Sequence, residues 1–317
     1  MLPRGKRFNS GRGTVLLCRF AVLALGTALL APPIAGQELE PRAYAPNPVG
    51  ANFVVAGYGY QSGDILFDPT VPITDATAYV NSAIFGYGRT FGLFGRMSSV
   101  GVVLPYVWAS MNGDVAESHH DITRSGLADV RVKLSVNLLG GPALSPREFA
   151  ARPKETTLGA SVTVNAPTGQ YDATKLINVG TNRWAFKPEV GLSYPVGRWT
   201  LDLYAGVWLF TDNTDFFGGK VLEQDPLASV QGHVIYTIRP RMWLAANATW
   251  YSGGRTYNNG IGASEQQDNS RVGLTFALPL GKQHSIKVAW ANGVTARVGD
   301  KVNMYSVAYQ FLWLDRK

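Results

Sequence analysis

The chain is a succession of segments, each about ten residues long, in which apolar and polar side chains alternate. The clearest runs Leu158, Ala160, Val162, Val164 and Ala166 on one side against Thr157, Gly159, Ser161, Thr163 and Asn165 on the other. A period of two gives a β-strand with one oily face and one polar face. Val130, Val132, Leu134, Val136 and Leu138 oppose Asp129, Arg131, Lys133, Ser135 and Asn137 in the same way. Leu201, Leu203, Ala205 and Val207 oppose Thr200, Asp202 and Tyr204, and Val272, Leu274 and Phe276 oppose Arg271 and Thr275. Segments of this kind repeat to the last residues. They point to an all-β fold, a transmembrane antiparallel up-and-down β-barrel with oily rows toward lipid and charged rows toward the axis. A soluble β-sandwich also alternates, so parity alone does not separate the two; connection lengths and the amino terminus do.

Strands are expected near 51–62, 77–91, 95–109, 127–139, 155–166, 183–195, 198–211, 227–239, 242–252, 269–279, 284–296 and 301–313. That is about twelve, and a bacterial single-chain barrel uses an even number. Tight turns at Gly92 to Phe94, Val196-Gly197, Pro240-Arg241 and Gly281 to Gln283 alternate with long polar stretches at 63–76, 111–126, 167–182, 212–226 and 253–268. Short periplasmic turns and long outer loops are the asymmetry of outer-membrane barrels, with both termini in the periplasm. The 140–154 junction is long for an inner turn and 297–300 short for an outer loop. Trp108, Trp184 and Trp250 border outer loops, while Tyr194, Trp199, Tyr236, Phe311 and Trp313 lie near inner turns, as girdles at two membrane interfaces would. The Gly- and Tyr-rich first two strands do not show which face is which.

The first residues fit export. A basic stretch (Arg4, Lys6, Arg7, Arg12) precedes an apolar run from Phe20 to Ala31 and a small-residue exit at Ile34-Ala35-Gly36. Residues 1–36 read as a secretory signal peptide cleaved before Gln37. Arg19 leaves the run short of the ~20 apolar residues of a spanning helix. Residues 37–50 read as a Pro-rich periplasmic lead-in, and 51–317 as the barrel. The formal charge of +7 comes from 29 basic and 22 acidic residues, and five of the basic ones lie in 1–36 with no acid. The remainder is nearly balanced, 24 against 22, which removes the support for nucleic-acid binding. The single cysteine, Cys18, also lies in the signal, so the mature chain has no thiol chemistry.

No catalytic constellation stands out, and the chain reads as a non-enzyme without cofactor or metal. His119-His120-Asp121 is a loop cluster without further metal-ligand partners. Ser229 and His233 share a strand face but lie four residues apart, roughly 13 Å along it, too far for a nucleophile and its base. Gly57-Tyr58-Gly59 and Gly86-Tyr87-Gly88 lie inside strands, where they cannot form a phosphate loop. The inward charges are the substantive candidates for a lumen lining. They are Asp129, Arg131, Lys133, Arg183, Lys187, Glu189, Asp202, His233, Arg271 and Lys287. Charges within a spanning strand face water or one another, so they either fill a plugged barrel or line a solute path. Twelve strands fall between the filled interior of eight and the open channel of sixteen, which suits a narrow conduit.

The chain resembles the MetA-pathway phenol-degradation family of outer-membrane proteins. The likeness begins at Leu39-Glu40-Pro41-Arg42-Ala43-Tyr44 and Pro46-Asn47-Pro48-Val49-Gly50. It is strongest at Ala166-Pro167-Thr168-Gly169-Gln170-Tyr171 and at Leu176 to Glu189, which contains Asn182-Arg183-Trp184. Asp212 to Gly219 and Tyr251-Ser252-Gly253-Gly254 extend it across most of the chain. The resemblance implies a bacterial outer-membrane barrel, in contact with lipid and lipopolysaccharide, that passes small aromatic or other hydrophobic molecules. It fixes neither a substrate nor an oligomeric state. Pro167, Thr168, Gly169 and Tyr171, with Asn182 and Trp184, flank one long outer loop that either folds inward as a constriction or forms a rigid cap. Trp208, Phe210, Phe216 and Phe217 lie where they would meet an apolar solute, pack on the loop or touch lipopolysaccharide. Two alternatives remain open: a structural or adhesive barrel with a plugged lumen, and a barrel enzyme acting on lipids.

Overall fold

The computed structural model describes residues 39–66, 73–115, 118–262, 266–295 and 299–315. The signal peptide read at 1–36 lies outside them. In chain order the elements are β1 (Ala51–Leu66), β2 (Ile73–Leu93), β3 (Arg96–Val115), β4 (Ser118–Leu127), β5 (Val130–Leu139) and helix α1 (Pro146–Ala150). They continue with β6 (Thr157–Ala166), β7 (Ala185–Val196), β8 (Trp199–Phe210), β9 (Asn213–Phe216), β10 (Lys220–Gln224) and β11 (Leu227–Arg239). The last are β12 (Met242–Gly253), β13 (Thr256–Asn258), β14 (Ile261–Gly262), β15 (Gln267–Pro279), β16 (His284–Thr295) and β17 (Gly299–Leu314).

Each wall strand pairs antiparallel with its neighbour in the order β1, β2, β3, β5, β6, β7, β8, β11, β12, β15, β16, β17. The ring closes where β17 returns to β1, in register from Ala51 opposite Leu314 to Leu66 opposite Gly299. β4 pairs with the outer end of β3 and runs into β5 across Ala128-Asp129, so the barrel wall has twelve strands. Closure leaves the twelve-stranded wall without a free edge, as a sheet facing lipid requires. At the seam, Asp315 accepts from Asn52 at 2.8 Å and pairs with Arg89 at 2.7 Å.

Side-chain parity is clean. Along β7, Ala185, Lys187, Glu189, Gly191 and Ser193 are buried, while Phe186, Val190, Leu192 and Tyr194 are exposed. Along β8, Thr200, Asp202 and Tyr204 are buried, and Leu201 and Leu203 are exposed. The exposed rows make an apolar belt around the outside, edged by Trp108, Trp184 and Trp250 at one end and Tyr194 and Trp199 at the other. In β1 and β2 the glycines face inward and Tyr58, Phe85 and Tyr87 outward. Gly88 lies under the ring of Phe53, where a Cβ would fall 2.2 Å from the ring carbons.

The structure corrects two boundaries and adds one sheet. The polar stretches expected as loops at 63–76 and 111–126 are largely strand: β1, β2, β3 and β4 run through most of both. Beyond a bilayer a hairpin can carry polar residues on both faces, so loss of alternation does not mark the end of a strand. The outer connections after β8 and β12 form a small sheet in the order β14, β13, β10, β9. The long inner junction is folded too. Helix α1 starts on a capping box between Ser145 and Glu148. Ala143 and Met97 then tie this junction to the β2–β3 turn through Gly95 and Gly141.

Candidate functional site

The barrel interior is the candidate site, and its least expected occupant is the chain itself. Val49 and Gly50 bond to Leu144 and Thr90 at the inner rim, and from there the backbone leads back into the lumen. Tyr44 is 1% exposed. Its ring rests on Gly159 and Gly191, where a Cβ at either glycine would come within 2.2 Å of ring carbons. Tyr204 meets that ring edge-on, with centroids 5.1 Å apart. The Tyr44 hydroxyl lies 2.8 Å from Ser161 Oγ and donates to Glu189 Oε1 at 2.9 Å. Burial, with Glu189 alongside, pushes the phenol well above its ordinary pKa, so it stays a donor. The Arg42 amide donates to Asp202 at 2.8 Å, and its guanidinium lies over the Trp243 ring. Leu39 ends the described segment among Ala291, Val302 and Met304. Residues 39–44 therefore cross from the β6–β8 wall to the β15–β17 wall, almost diametrically across a twelve-stranded ring. A cavity of about 40 Å³ remains beside Leu39, room for about one or two waters. Of the lead-in read at 37–50, residues 39–44 lie inside the barrel and 45–50 follow the inner rim to β1.

Around this segment the charges form a linked network. Glu189 pairs with Lys187 at 2.8 Å and Lys133 at 3.6 Å, and accepts from Gln231 at 3.2 Å. Lys133 also reaches Glu40 of the segment at 4.0 Å. Asp202 accepts from Tyr204 at 2.6 Å, and His233 Nδ1 lies 2.9 Å from Asn247 Oδ1. Register places Asp202 opposite His233, and Gln231 opposite Thr249. One polar atom of each of these four side chains has no partner among the described residues, so this stretch of the β8, β11 and β12 wall is polar.

The outer half is aromatic and basic. Trp208 and Phe210 stack with centroids 6.5 Å apart, and Trp208 packs with Ala185, Leu227 and Tyr251. Lys187 and Arg131 each lie 5.7 Å from the Trp208 ring, and Arg183 lies 4.6 Å from Phe210. Above them the 167–184 loop folds inward. Ile177 and Val179 are buried, with Val179 packed on Val107 and Ala128. Asp129 holds that loop. Its two oxygens accept from Gly169 N at 2.8 Å, Thr181 N at 2.9 Å and Thr181 Oγ1 at 2.6 Å. Tyr171 accepts from Asn213 at 2.9 Å and donates to the Asp215 carbonyl, and Asn182 donates to Asn213 at 2.9 Å, joining the loop to β9.

Arg131, Lys133, Lys187, Glu189, Asp202, His233 and Arg271 project inward from wall strands, and Lys287 shares the inward parity of Ala289 and Ala291 on β16. Asp129 and Arg183 differ in kind. Asp129 stands in the break between β4 and β5 as the loop anchor, and Arg183 precedes β7 beneath the cap. Pro167, Thr168 and Gly169 form the turn that carries the loop in: Thr168 Oγ1 accepts from Val130 N, and Gly169 lies flat on Gly180. Trp184 points outward over Phe186, and Phe216 is buried in the small sheet. Ser229 bonds to the Gly206 carbonyl and His233 to Asn247, so the two have separate partners. His119 lies 3.6 Å from Asp121, both exposed, and no three His, Cys, Asp or Glu side chains gather among the described residues. Sequence reasoning missed Tyr44, Ser161 and Tyr204. The one available signal was Gly159 and Gly191, which the register places directly opposite each other on an inward face.

A family model spans nearly all of this barrel, residues 46–309, and is described as Putative MetA-pathway of phenol degradation. The chain belongs to that family. Among solved structures, members can be set beside an outer membrane channel from Pseudomonas putida F1, similar to this chain at a TM-score of 0.75 and 22% identity over 86% of this chain and 99% of that one. The β domain of the Bordetella autotransporter BrkA is more distant, at a TM-score of 0.49 and 13% identity over 84% of this chain and 100% of that one. No curated protein sequence matches. At these identities the structural likeness establishes the barrel fold.

Proposed function

We propose that this family member is a passive outer-membrane conduit for small aromatic or other hydrophobic molecules. Its apolar belt faces lipid, and its charged rows face an interior that conducts when the inner segment and outer loop part. The similar barrel from Pseudomonas putida F1 is an outer membrane channel, and the family name points to phenolic compounds. The observation that carries the reading is the Trp208–Phe210 stack, turned into the lumen beneath the outer loops instead of out toward lipid. Buried aromatic faces at the entrance give an apolar solute a place to leave water. The experiment is uptake of labelled phenol or toluene at low concentration in a deletion strain, with single-channel recording of the purified protein. Loss of uptake, restored by the gene, is expected; normal uptake in the deletion strain overturns the proposal.

The segment that crosses the lumen favours a second reading, a structural barrel kept shut. Recordings separate the two. A conduit opens when residues 39–44 are displaced, whereas a structural barrel stays closed or loses its fold.

A further inference from the structure

Arg183 is buried in an arrangement that its own neighbours do not complete. It is 6% exposed, lies 4.6 Å from the Phe210 ring and donates through Nη2 to Gln224, a neutral amide. Its Nη1 has no acceptor among the described residues. Asp212 and Asp129 act on it through space without an ion pair, and both Asp129 oxygens are already bonded to the 167–184 loop. Burial draws the guanidinium down to about 10, so it remains charged at neutral pH. Below it, Phe210 stacks on Trp208, whose ring has Arg131 and Lys187 at 5.7 Å. The inner half has its acids in the Glu189 network and at Asp202; in the outer half Arg183, Arg131 and Lys187 lie on aromatic faces, and the buried carboxylate of Asp129 is taken up by the loop.

A buried guanidinium N–H without an acceptor is costly, and the partner that best fits its fork is a carboxylate or phenolate oxygen. An aromatic ring attached to that oxygen would lie along the Phe210–Trp208 stack. We infer that Arg183 and this stack form a seat for a small aromatic anion, an arene carboxylate or phenolate, under the outer cap. A neutral hydrocarbon would use only the rings and an inorganic anion only the fork. Gln224 sits on β10 and is tied to the Gly254 carbonyl at 3.0 Å, so a solute entering from outside would displace a loop amide from Arg183. The inference rests on the conduit reading and narrows its substrate class.

The test is calorimetric titration of the full-length purified protein with benzoate, benzyl alcohol and acetate. Benzoate is expected to bind at least about tenfold tighter than either of the others, as one charge-assisted contact added to a stacked ring would give. Arg183→Gln should bring benzoate down to the level of benzyl alcohol and leave the alcohol unchanged. Arg183→Lys, which keeps the charge and guards against a folding defect, should retain part of the preference, and Phe210→Leu should weaken both aromatic ligands. Benzoate binding no tighter than benzyl alcohol, equal binding of acetate and benzoate, or an unchanged benzoate affinity in Arg183→Gln would each overturn the seat. Proteoliposome uptake separates the two levels. Entry of benzyl alcohol faster than into protein-free liposomes, without a benzoate preference, removes only the anion seat, whereas no protein-dependent entry of either solute removes the conduit.

Discussion

Tyr44→Ala should raise the conductance of the barrel by releasing the segment that crosses its lumen. The side chain is almost wholly buried, wedged between Gly159, Gly191 and Tyr204, with its hydroxyl on Ser161 and Glu189. Removing a buried aromatic ring of this size costs about 3–5 kcal/mol. Glu189 is not orphaned by the change, because Lys187 at 2.8 Å and Gln231 at 3.2 Å still hold it. The loss therefore falls on docking of the segment more than on the wall. At about 1.4 kcal/mol per tenfold, the displaced population should rise by roughly two to four orders of magnitude. Tyr44→Phe keeps the ring and loses only the hydroxyl bonds, about 1.5–3 kcal/mol for the one to the Glu189 carboxylate, for a rise of roughly one to two orders of magnitude. Planar-bilayer recording reads this directly as open probability, expected to increase from wild type through Tyr44→Phe to Tyr44→Ala. Gly191→Val attacks the same contact from the other side, since its Cβ would lie 2.2 Å from the Tyr44 ring, and should open the barrel with Tyr44 intact. If all three variants fold and conduct like wild type, the segment is not what closes the lumen.

Asp129→Ala should release the 167–184 loop, because it removes the acceptor of three hydrogen bonds, about 1.5–3 kcal/mol for each bond to the carboxylate; protease cleavage within the loop on proteoliposomes measures it. Asp172 is held down at about 2 by the Thr174 hydroxyl and by Lys175. Its contribution to loop order is thus present above the ordinary carboxylate pKa and lost as pH falls through about 2. The protection of the Thr174 amide relative to its intrinsic exchange rate should therefore be nearly the same at pH 7 and pH 5, and Asp172→Asn should show the low-pH protection at pH 7. Gly140→Ala should cut the yield of folded barrel sharply, as φ is +64° there and a Cβ would meet the Thr156 carbonyl at 1.8 Å; heat-modifiable migration on gels reports the folded fraction.

The wall was legible from one physical rule. Lipid outside and a polar interior force opposite chemistry onto alternate residues, and β6, β7 and the first half of β8 carry that alternation. Where the surroundings do not differ between faces, the rule falls silent. The β3–β4 hairpin is polar on both sides, so strand there looks like loop; the glycines of β1 and β2 have no side chain to declare a face. The inward charges were legible as a set, yet their roles were not. Asp129 and Glu189 look equivalent in sequence, but one is bonded to the amides of a loop brought in from 40 residues away and the other to two lysines. Long-range bonding of that kind leaves no local periodicity.

The inner segment shows where such information does survive. Leu39 to Tyr44 has no alternation and two prolines soon follow, so by itself it reads as a linker. Its imprint lies elsewhere, in Gly159 and Gly191. Two glycines directly opposite on an inward face remove neighbouring side chains and open a gap the width of an aromatic ring. Interiors pack densely, so such a gap implies a guest ring. A wall residue can supply it, as Phe53 does over Gly88, but a gap spanning two paired glycines also admits a ring from a segment outside the ladder. The lead-in just before β1 is such a segment and carries a tyrosine, Tyr44, within it. A paired glycine gap on the inner face of a barrel, together with an aromatic residue in the segment preceding the first strand, is thus a physical signature of a self-inserted plug, and exchanging Gly159 or Gly191 for a larger residue is the change that should expel it.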